Sequence, residues 1–309
     1  MRIIFMGTPE FAVPCLEMLI ENKYQVAAVV TQPDKPKGRG GKMTPPPIKE
    51  VALRSGIDVL QPIKVRTLEY AELLRSYKPD LFITCAYGRI LTKEVLSIPP
   101  LGCINVHASL LPAYRGAAPI QWAVINGEKV TGITTMFTDE GLDTGDMLLS
   151  RELKIGDDTI AGELHDQLSV MGAELLKDTL LQLSEGTLKR IPQPNEGVTY
   201  APIIEKDIGR LDFTKSAKQL HDLVRGTNPW PVAFTFLKGE RMRVFKTDVL
   251  DKVSECEPGT IINVDDEGIL VACGNGILRI SELQFDSSKR MSVQSYLRGH
   301  TIDKGEKLG

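Results

Sequence analysis

Short apolar runs alternate with amphipathic segments along the first two thirds of the chain. Arg2 to Met6, Gln25 to Val30 and Asp80 to Ala86 are apolar runs of strand length. Phe11 to Ile20 carries apolar residues at helical spacing. Buried strands that alternate with helices are typical of a parallel sheet covered by helices. The pattern therefore predicts an α/β fold with a Rossmann-like, doubly wound N-terminal domain.

The turn after the first strand reads Gly7-Thr8-Pro9-Glu10. This order predicts Thr8 as the N-cap of a helix and Pro9 as its first residue. A dinucleotide-binding Gly-x-Gly-x-x-Gly fingerprint needs three glycines, and this turn supplies one. The turn therefore argues against an NAD-dependent dehydrogenase.

A later strand, Cys103 to His107, has one apolar and one polar face. Asn105 and His107 share the polar face, about 7 Å apart at the two-residue pitch. The chain must leave the strand before Pro112, which has no N–H for a sheet. Open α/β sheets bind ligands at this end of their strands. A core strand with one satisfied Asn and one satisfied His is the alternative, and the pattern alone leaves both open.

An acidic loop, Thr138 to Asp146, follows a strand predicted from Thr131 to Phe137. The loop lacks the residue order of an EF-hand, so a calcium site is not expected. Aspartate-rich turns are also common for local conformational reasons. Only proximity to His107 would make one of these carboxylates catalytic.

A basic loop, Thr31 to Pro47, contains five prolines and three glycines. Its charged residues are Lys35, Lys37, Arg39 and Lys42 against Asp34, a local net charge of +3. The composition predicts a loop that does not fold on itself and becomes ordered on a polyanion, and a solvated surface loop is the alternative. Its Gly-Gly-Lys is not followed by the Ser or Thr of a phosphate-binding Walker A loop.

Periodicity stops near Gly186 and returns after Gly209 as several short alternating runs. These runs are separated by hairpin turns and predict a small OB-like β-barrel: Ala233–Leu237, Met242–Val249, Gly259–Val264, Gly268–Ala272 and Ile277–Leu283. The chain is therefore expected to comprise a catalytic domain at 1–189, a linker at 190–209 and a barrel domain at 210–309.

Composition narrows the class of protein. The net charge of −3 over 309 residues gives no global signal for nucleic acid, so such a partner would need a local patch. No apolar run approaches the roughly 18 residues of a membrane span, and the N-terminus lacks the layout of a signal peptide. The five cysteines are scattered without a Cys-x-x-Cys pair. We expect a cytoplasmic protein with reduced thiols, no metal and no membrane partner.

Three motifs resemble those of the folate-dependent formyltransferases. They read Asn-Val-His-Ala-Ser-Leu-Leu-Pro at 105–112, Tyr-Arg-Gly-Ala-Ala-Pro-Ile-Gln at 114–121 and Asp-Glu-Gly-Leu-Asp-Thr-Gly-Asp at 139–146. Gly-Thr-Pro-Glu-Phe-Ala at 7–12 and Asn-Pro-Trp-Pro at 228–231 extend the likeness along the chain. The resemblance implies a one-carbon transferase that moves a formyl group from 10-formyltetrahydrofolate to the α-amino group of methionine on initiator tRNA, for translation initiation.

The resemblance also implies roles for single residues, with Asn105, His107 and Asp143 as the catalytic groups. Attack by an amine on a formyl group creates an oxyanion, which Asn105 and a protonated His107 would stabilise. Asp143 would orient His107, with a bound water as proton carrier. Ser109 is a rival nucleophile, but direct attack by the amine requires no covalent enzyme intermediate.

The same likeness suggests where the two substrates bind. The residues expected to border the folate, beside an apolar slot from Leu81 to Arg89, are Ser109, Leu110, Leu111 and Pro112. The residues expected to bind the tRNA acceptor end are Lys37, Arg39 and Lys42. Arg39 could stack on an unpaired base or fork to a phosphate, and the barrel would hold the acceptor arm. The protein is expected to act as a monomer.

Two other functions remain open. A sister formyltransferase acting on a small amine, such as an amino sugar nucleotide, would share Asn105, His107 and Asp143. It would differ in the segment Pro33 to Pro47 and in its dependence on tRNA. A non-catalytic RNA-binding protein with an α/β body and a barrel is the other, and an inert His107→Ala change in a formylation assay would favour it.

Overall fold

The computed structural model describes residues 1–37, 41–286 and 288–309. From the N-terminus to residue 201 the elements are β1 (Arg2–Gly7), α1 (Val13–Glu21), β2 (Gln25–Val30), β3 (Lys35–Lys37), β4 (Lys42–Thr44), α2 (Pro47–Arg54), β5 (Val59–Leu60), α3 (Leu68–Ser76), β6 (Leu81–Cys85), α4 (Lys93–Leu96), β7 (Cys103–His107), β8 (Arg115–Gly116), α5 (Pro119–Ile125), β9 (Val130–Phe137), β10 (Met147–Lys154), α6 (Ala161–Glu185) and β11 (Tyr200–Ala201). The remaining elements are α7 (Ala217–Gly226), β12 (Ala233–Leu237), β13 (Glu240–Leu250), β14 (Ile261–Asp265), β15 (Gly268–Ala272), β16 (Ile277–Phe285), β17 (Met291–Ser292) and α8 (Val293–Leu297).

The N-terminal sheet is mainly parallel. Among the described residues its strand order is β10-β9-β7-β6-β1-β2-β5. The pairs from β5 to β7 are parallel, whereas β9 runs antiparallel to β7 and β10 antiparallel to β9. The predicted Rossmann-like α/β architecture is confirmed, with two antiparallel strands added at one edge.

The middle strands are buried on both faces, as their continuous apolar runs require. Ile3 to Met6 and Leu81 to Ile83 have no exposed surface. On one side of this sheet, Ile4, Met6 and Phe82 belong to a buried apolar cluster. Tyr70 and Leu74 of α3 belong to the same cluster. Burial of these side chains fixes the register of β6 and β7, and so the positions of the polar residues at their ends.

The predicted start of the first helix was wrong. Pro9 is extended, with ψ 177°, and is followed by a 3₁₀ turn at Glu10–Ala12 before α1 begins at Val13. Thr8 does not cap this helix, because its Oγ1 donates to the carbonyl oxygen of Tyr87 at 3.1 Å. The hydroxyl therefore ties the end of β1 to the loop after β6.

The prediction that the basic loop does not fold on itself was also wrong. β3 and β4 form an antiparallel hairpin, in which Lys35 pairs with Thr44 and Lys37 with Lys42. Pro36 is tolerated because this small hairpin leaves one edge of β3 without a further strand among the described residues. Arg39 lies outside the described residues.

The C-terminal β domain confirms the prediction of a small strand-rich unit. Its described strands follow the order β12-β13-β16-β15-β14, with β17 beside β16. The chain end connects the two edge strands: Ile261 N donates to Glu306 O at 2.8 Å, and Gly309 N donates to Phe236 O at 3.1 Å. Helix α7, with Ser216 and Gln219 as a capping box, covers the apolar interior through Leu220.

The chain divides into two compact units. One comprises residues 1–119, 130–154 and 165–202, and the other 120–129, 155–164 and 203–309. Within the first unit, Ile191 pairs with Met147 and β11 pairs in parallel with β8, so part of the segment predicted as a linker is hydrogen-bonded to this unit. The sequence-based boundaries at 189 and 209 stay a prediction.

In the described ranges, no helix is both long and apolar enough to cross a membrane.

Candidate active site

Asn105 projects from β7 beside Thr84 of β6, its direct partner in the parallel register. Thr84 Oγ1 donates to Asn105 Oδ1 at 2.9 Å, which occupies the amide oxygen. Within the described part of the chain, Asn105 Nδ2 has no hydrogen-bond partner. The amide is thus oriented so that its N–H groups remain available to a ligand. Sequence reasoning missed Thr84 because cross-strand register is not visible in an apolar run.

His107 is buried at the end of β7. Its Nε2 lies 3.0 Å from the carbonyl oxygen of Tyr114. A carbonyl can only accept, so Nε2 carries a proton. Nδ1 lies 3.7 Å from Asp143 Oδ2, beyond hydrogen-bond length. Nδ1 is therefore the ring atom left for chemistry.

The acidic loop turns Asp143 toward His107. Asp143 adopts a left-handed backbone conformation, with φ +52°, and its Oδ2 accepts from Gly116 N–H at 2.8 Å. Two other carboxylates of the loop have different partners. Asp139 accepts a hydrogen bond from Thr144 Oγ1, and Asp146 forms an ion pair with Arg190. The sequence predicts a catalytic role for a loop carboxylate only if it lies near His107, and Asp143 meets this condition.

Gln193 is a second residue that sequence reasoning missed. Its Nε2 donates to the carbonyl oxygens of Asp143 and Gly145, each at 2.8 Å. Its Oε1 accepts from Arg115 Nε at 3.0 Å and from Arg115 Nη2 at 2.6 Å. Nothing in the pattern marks Gln193, because it lies in a segment without periodicity that reads as a linker.

The segment expected to border the folate is held by the neighbouring strand β9. Ser109 is fully buried, and its Oγ donates to Ala113 O at 2.6 Å. Thr134 Oγ1 donates to Ser109 O at 2.8 Å and accepts from Leu111 N at 3.2 Å. The Ser109 hydroxyl is thus committed to a backbone carbonyl, and no described hydrogen bond joins it to a base. Leu110 and Pro112 are half-buried, so both keep exposed surface.

The expected slot begins with the buried strand β6 and continues into a loop with left-handed residues. Ala86 has φ +46° and Gly88 has φ +74°. The Tyr87 carbonyl accepts from Gln32 Nε2 at 3.1 Å, and burial raises the pKa of the Tyr87 hydroxyl. A side chain at Gly88 would meet Gln32, because a Cβ there would lie 2.7 Å from Gln32 Nε2. The left-handed turn ends β6 and separates this loop from the strand.

The donors present fit a formyl group. Asn105 is half-buried, its Nδ2 has no acceptor among the described residues, and a formyl oxygen is an acceptor with which it can pair. No group of three or more His, Cys, Asp or Glu side chains among the described residues is arranged to hold a metal.

Of the residues expected to bind tRNA, Lys37 lies on β3 and Lys42 on β4, whereas Arg39 lies outside the described residues. Lys42 is exposed, and Lys37 pairs with it across the hairpin backbone. Asp34, at the base of the hairpin, accepts from Gln61 Nε2 at 2.7 Å and from Lys49 Nζ at 2.9 Å. These hydrogen bonds, from Gln61 and then Lys49, lower the pKa of Asp34. The acid in this basic segment is therefore already paired.

Comparison with known proteins gives the context for this geometry. A family model described as formyl transferase matches residues 1–180, and a model described as formyl transferase, C-terminal domain, matches residues 203–301. A protein of Ruminiclostridium cellulolyticum named methionyl-tRNA formyltransferase is 64% identical over 311 residues, covering 100% of both chains.

Solved structures share the fold at lower identity. WlaRD, a sugar 3N-formyl transferase solved with dTDP and 5-N-formyl-THF, has a TM-score of 0.68 at 17% identity, covering 94% of this chain and 99% of that one. HypX from Aquifex aeolicus in complex with tetrahydrofolic acid has a TM-score of 0.62 at 19% identity, covering 96% of this chain and 47% of that one. The chain thus spans about half the length of HypX. Both family models and the full-length relative agree: the chain belongs to the formyl transferase family.

Proposed function

We propose that this enzyme transfers the formyl group of 10-formyltetrahydrofolate to the α-amino group of methionine on initiator tRNA. The observation that carries the proposal is the 64% identity, over the whole chain, to a relative named methionyl-tRNA formyltransferase. The product, N-formylmethionyl-tRNA, serves translation initiation.

The arrangement of Asn105, His107 and Asp143 supports direct attack by the amine. The folate co-substrate supplies the formyl group when bound. Asn105 Nδ2 can donate to the oxygen that becomes negative as the amine attacks, and removal of one such donor typically costs about 10² to 10³ in rate. Thr84 fixes this amide in the donating orientation.

His107 supplies a second donor when both ring nitrogens hold protons. Nε2 is committed to Tyr114 O, so the proton available to substrate is the one at Nδ1. Asp143 Oδ2, 3.7 Å from Nδ1, offsets the positive charge of the ring. The proton that the amine loses leaves through a water held near His107 and Asp143, and N10 of the folate gains a proton as its bond to the formyl carbon breaks.

The folate borders Ser109, Leu110, Leu111 and Pro112 in this proposal. The hydrogen bonds of Thr134 to this segment keep its backbone fixed at the end of β7. Leu110 and Pro112 can contact an aromatic ring because both are half-buried.

Lys37, Arg39 and Lys42 bind the acceptor end of the tRNA, and the C-terminal barrel holds the acceptor arm. The support is the charge of the hairpin, whose Asp34 is neutralised by Lys49 from α2. Arg39→Ala should weaken the use of tRNA and leave folate binding intact, and tRNA affinity should fall as salt rises. Unchanged tRNA use at every salt concentration would exclude this role.

We also propose that the enzyme acts as a monomer in the cytoplasm. All five cysteines are free thiols, four of them buried and Cys256 exposed. Free thiols fit a reducing compartment such as the cytoplasm.

The test is formyl transfer from 10-formyltetrahydrofolate to two acceptors, methionyl initiator tRNA and an amino sugar nucleotide. Formylation of the tRNA at a far higher kcat/KM than the sugar is expected. Preference for the sugar nucleotide would assign the chain to a sister activity. Binding of tRNA without transfer to either acceptor would make it a non-catalytic RNA-binding protein.

A further inference from the structure

We propose that Gln193 is a positioning residue for catalysis, which holds Asp143 against His107 through the backbone of the acidic loop. The inference rests on the proposed function, since it concerns the same site. None of the described hydrogen bonds of Gln193 goes to a catalytic side chain, so it acts through the segments that carry them.

The contacts of Gln193 use its whole amide. The side-chain N–H groups of Gln193 donate to the backbone carbonyl oxygens of Asp143 and Gly145, the residues on either side of Thr144. Its oxygen receives two N–H groups of Arg115. One side chain therefore joins the acidic loop to β8.

Arg115 lies between the two residues that hold the catalytic groups. Tyr114, before it, accepts from His107 Nε2, and Gly116, after it, donates to Asp143 Oδ2. Arg115 is itself buried, 9% exposed, and needs an acceptor for its guanidinium. Gln193 provides this acceptor, so it fixes the backbone that sets both sides of the His107–Asp143 pair.

The segment that carries Gln193 is anchored on both sides. Before it, Ile191 and Met147 exchange two backbone hydrogen bonds of 2.8 and 2.9 Å. After it, Arg115 N donates to Thr199 O at 2.9 Å, and Tyr114 N donates to Thr199 Oγ1 at 2.8 Å. A solvated linker would not hold a side chain in this way, and the anchoring explains how a residue so far along the chain reaches the acidic loop.

The backbone of Asp143 is held by these contacts. Its φ of +52° lies in the left-handed region, which is uncommon for residues other than glycine, although Asp tolerates it better than most. If the carbonyls of Asp143 and Gly145 lost their donor, the loop could relax and move the carboxylate away from Nδ1. Misplacement of a catalytic group by about 1 Å can cost on the order of 10²-fold in rate.

The test begins with two substitutions in the full-length enzyme. Gln193→Ala removes all four hydrogen bonds. Gln193→Glu keeps an oxygen that can accept from Arg115, but it places a second carboxylate oxygen, which cannot donate, opposite the carbonyl oxygens of Asp143 and Gly145. We expect kcat to fall about 10- to 100-fold in each, with the KM for folate changed less than about threefold. Asn195→Ala, an exposed change two residues away, is the matched control and should keep wild-type kcat.

A double-mutant cycle separates positioning from general destabilisation. If Gln193 acts through Asp143, Gln193→Ala should cost less than about threefold in single-turnover rate when Asp143 is already Asn. Equal costs in both backgrounds would overturn the inference, as would a wild-type kcat in Gln193→Ala and Gln193→Glu. If Gln193→Ala fails to fold by circular dichroism, Gln193→Glu, which keeps the Arg115 contacts, carries the same cycle.

The activity of the wild type in this assay separates a failure of the inference from a failure of the proposed function. A wild type active on the amino sugar nucleotide instead of tRNA would refute the proposed acceptor, and the cycle would be run with that acceptor. A wild type inactive with both acceptors would overturn the function and the inference together. An active wild type with additive variants would overturn the inference alone.

Discussion

Two buried histidines, one in each compact unit, differ in how their rings are used. His107 ends β7, and His221 lies in α7. Both are less than 10% exposed. Each places Nε2 3.0 Å from a backbone carbonyl, that of Tyr114 for His107 and that of Asp157 for His221.

The second ring nitrogen separates them. His221 Nδ1 lies 3.0 Å from Thr247 Oγ1, so both of its nitrogens are satisfied. His107 Nδ1 has no hydrogen-bond partner among the described residues and faces the Asp143 carboxylate at 3.7 Å. Burial does not separate the two histidines, whereas the hydrogen bonding of Nδ1 does, and we propose that the unpaired Nδ1 marks His107 as the reactive one.

The neighbours of His221 follow the same rule. Asp222 and Arg225 form a buried ion pair at 2.7 Å, and Arg225 Nη1 also donates to the carbonyl oxygens of Gly156 and Thr159. These polar groups satisfy one another within the C-terminal unit. The cluster is a structural support, in contrast to the site at the end of β7.

Apart from His107, Asn105 is the residue whose substitution should change the rate most, because its Nδ2 also has no hydrogen-bond partner among the described residues. Asn105→Ala should lower the single-turnover rate of formyl transfer by about 10² to 10³, the usual cost of an oxyanion donor. Thermal unfolding of the variant should stay close to wild type, since Thr84 is the one described partner that loses a bond. A rate within threefold of wild type would remove Asn105 from the catalytic groups.

His221→Leu should show the opposite profile. The change leaves the Thr247 hydroxyl and the Asp157 carbonyl without their partner, and should lower the free energy of unfolding by about 2 to 3 kcal/mol. Urea titration measures this loss. The kcat at saturating substrates should remain within about threefold of wild type, and a loss near that of Asn105→Ala would break the distinction.

Thr84→Val is expected to have the smallest effect of the three substitutions, and it tests whether Asn105 must be held in one orientation. Valine keeps the shape of threonine but cannot donate to Asn105 Oδ1, so the amide is free to turn. We expect kcat to fall about 3- to 10-fold, near the net value of one hydrogen bond, with KM values close to wild type. Thr84→Ser should restore most of the rate. Equal losses in Val and Ser would point to packing instead of orientation.

Some strands could be predicted to the residue, whereas β13, predicted at Met242–Val249, spans Glu240–Leu250. β7, β12 and β15 have the predicted bounds, because turn residues flank each run. β6 ends one residue early at Cys85, since Ala86 takes a left-handed φ that composition does not reveal.

The site could be predicted in part. The alternation along β7 placed Asn105 and His107 on one face, whereas Asp143 came from the family resemblance. Thr84 and Gln193 could not be found, since one depends on the register between two strands and the other on a pairing across 50 residues of sequence.

The catalytic role proposed for His107 is tested by the single-turnover rate of formyl transfer to methionyl initiator tRNA by the wild type and by His107→Ala, each confirmed as folded. Loss of one oxyanion donor typically costs about 10² to 10³ in rate, and we expect a loss in that range with little change in the melting temperature. A folded His107→Ala that transfers the formyl group at the wild-type rate would contradict the assignment of chemistry to the unspent Nδ1.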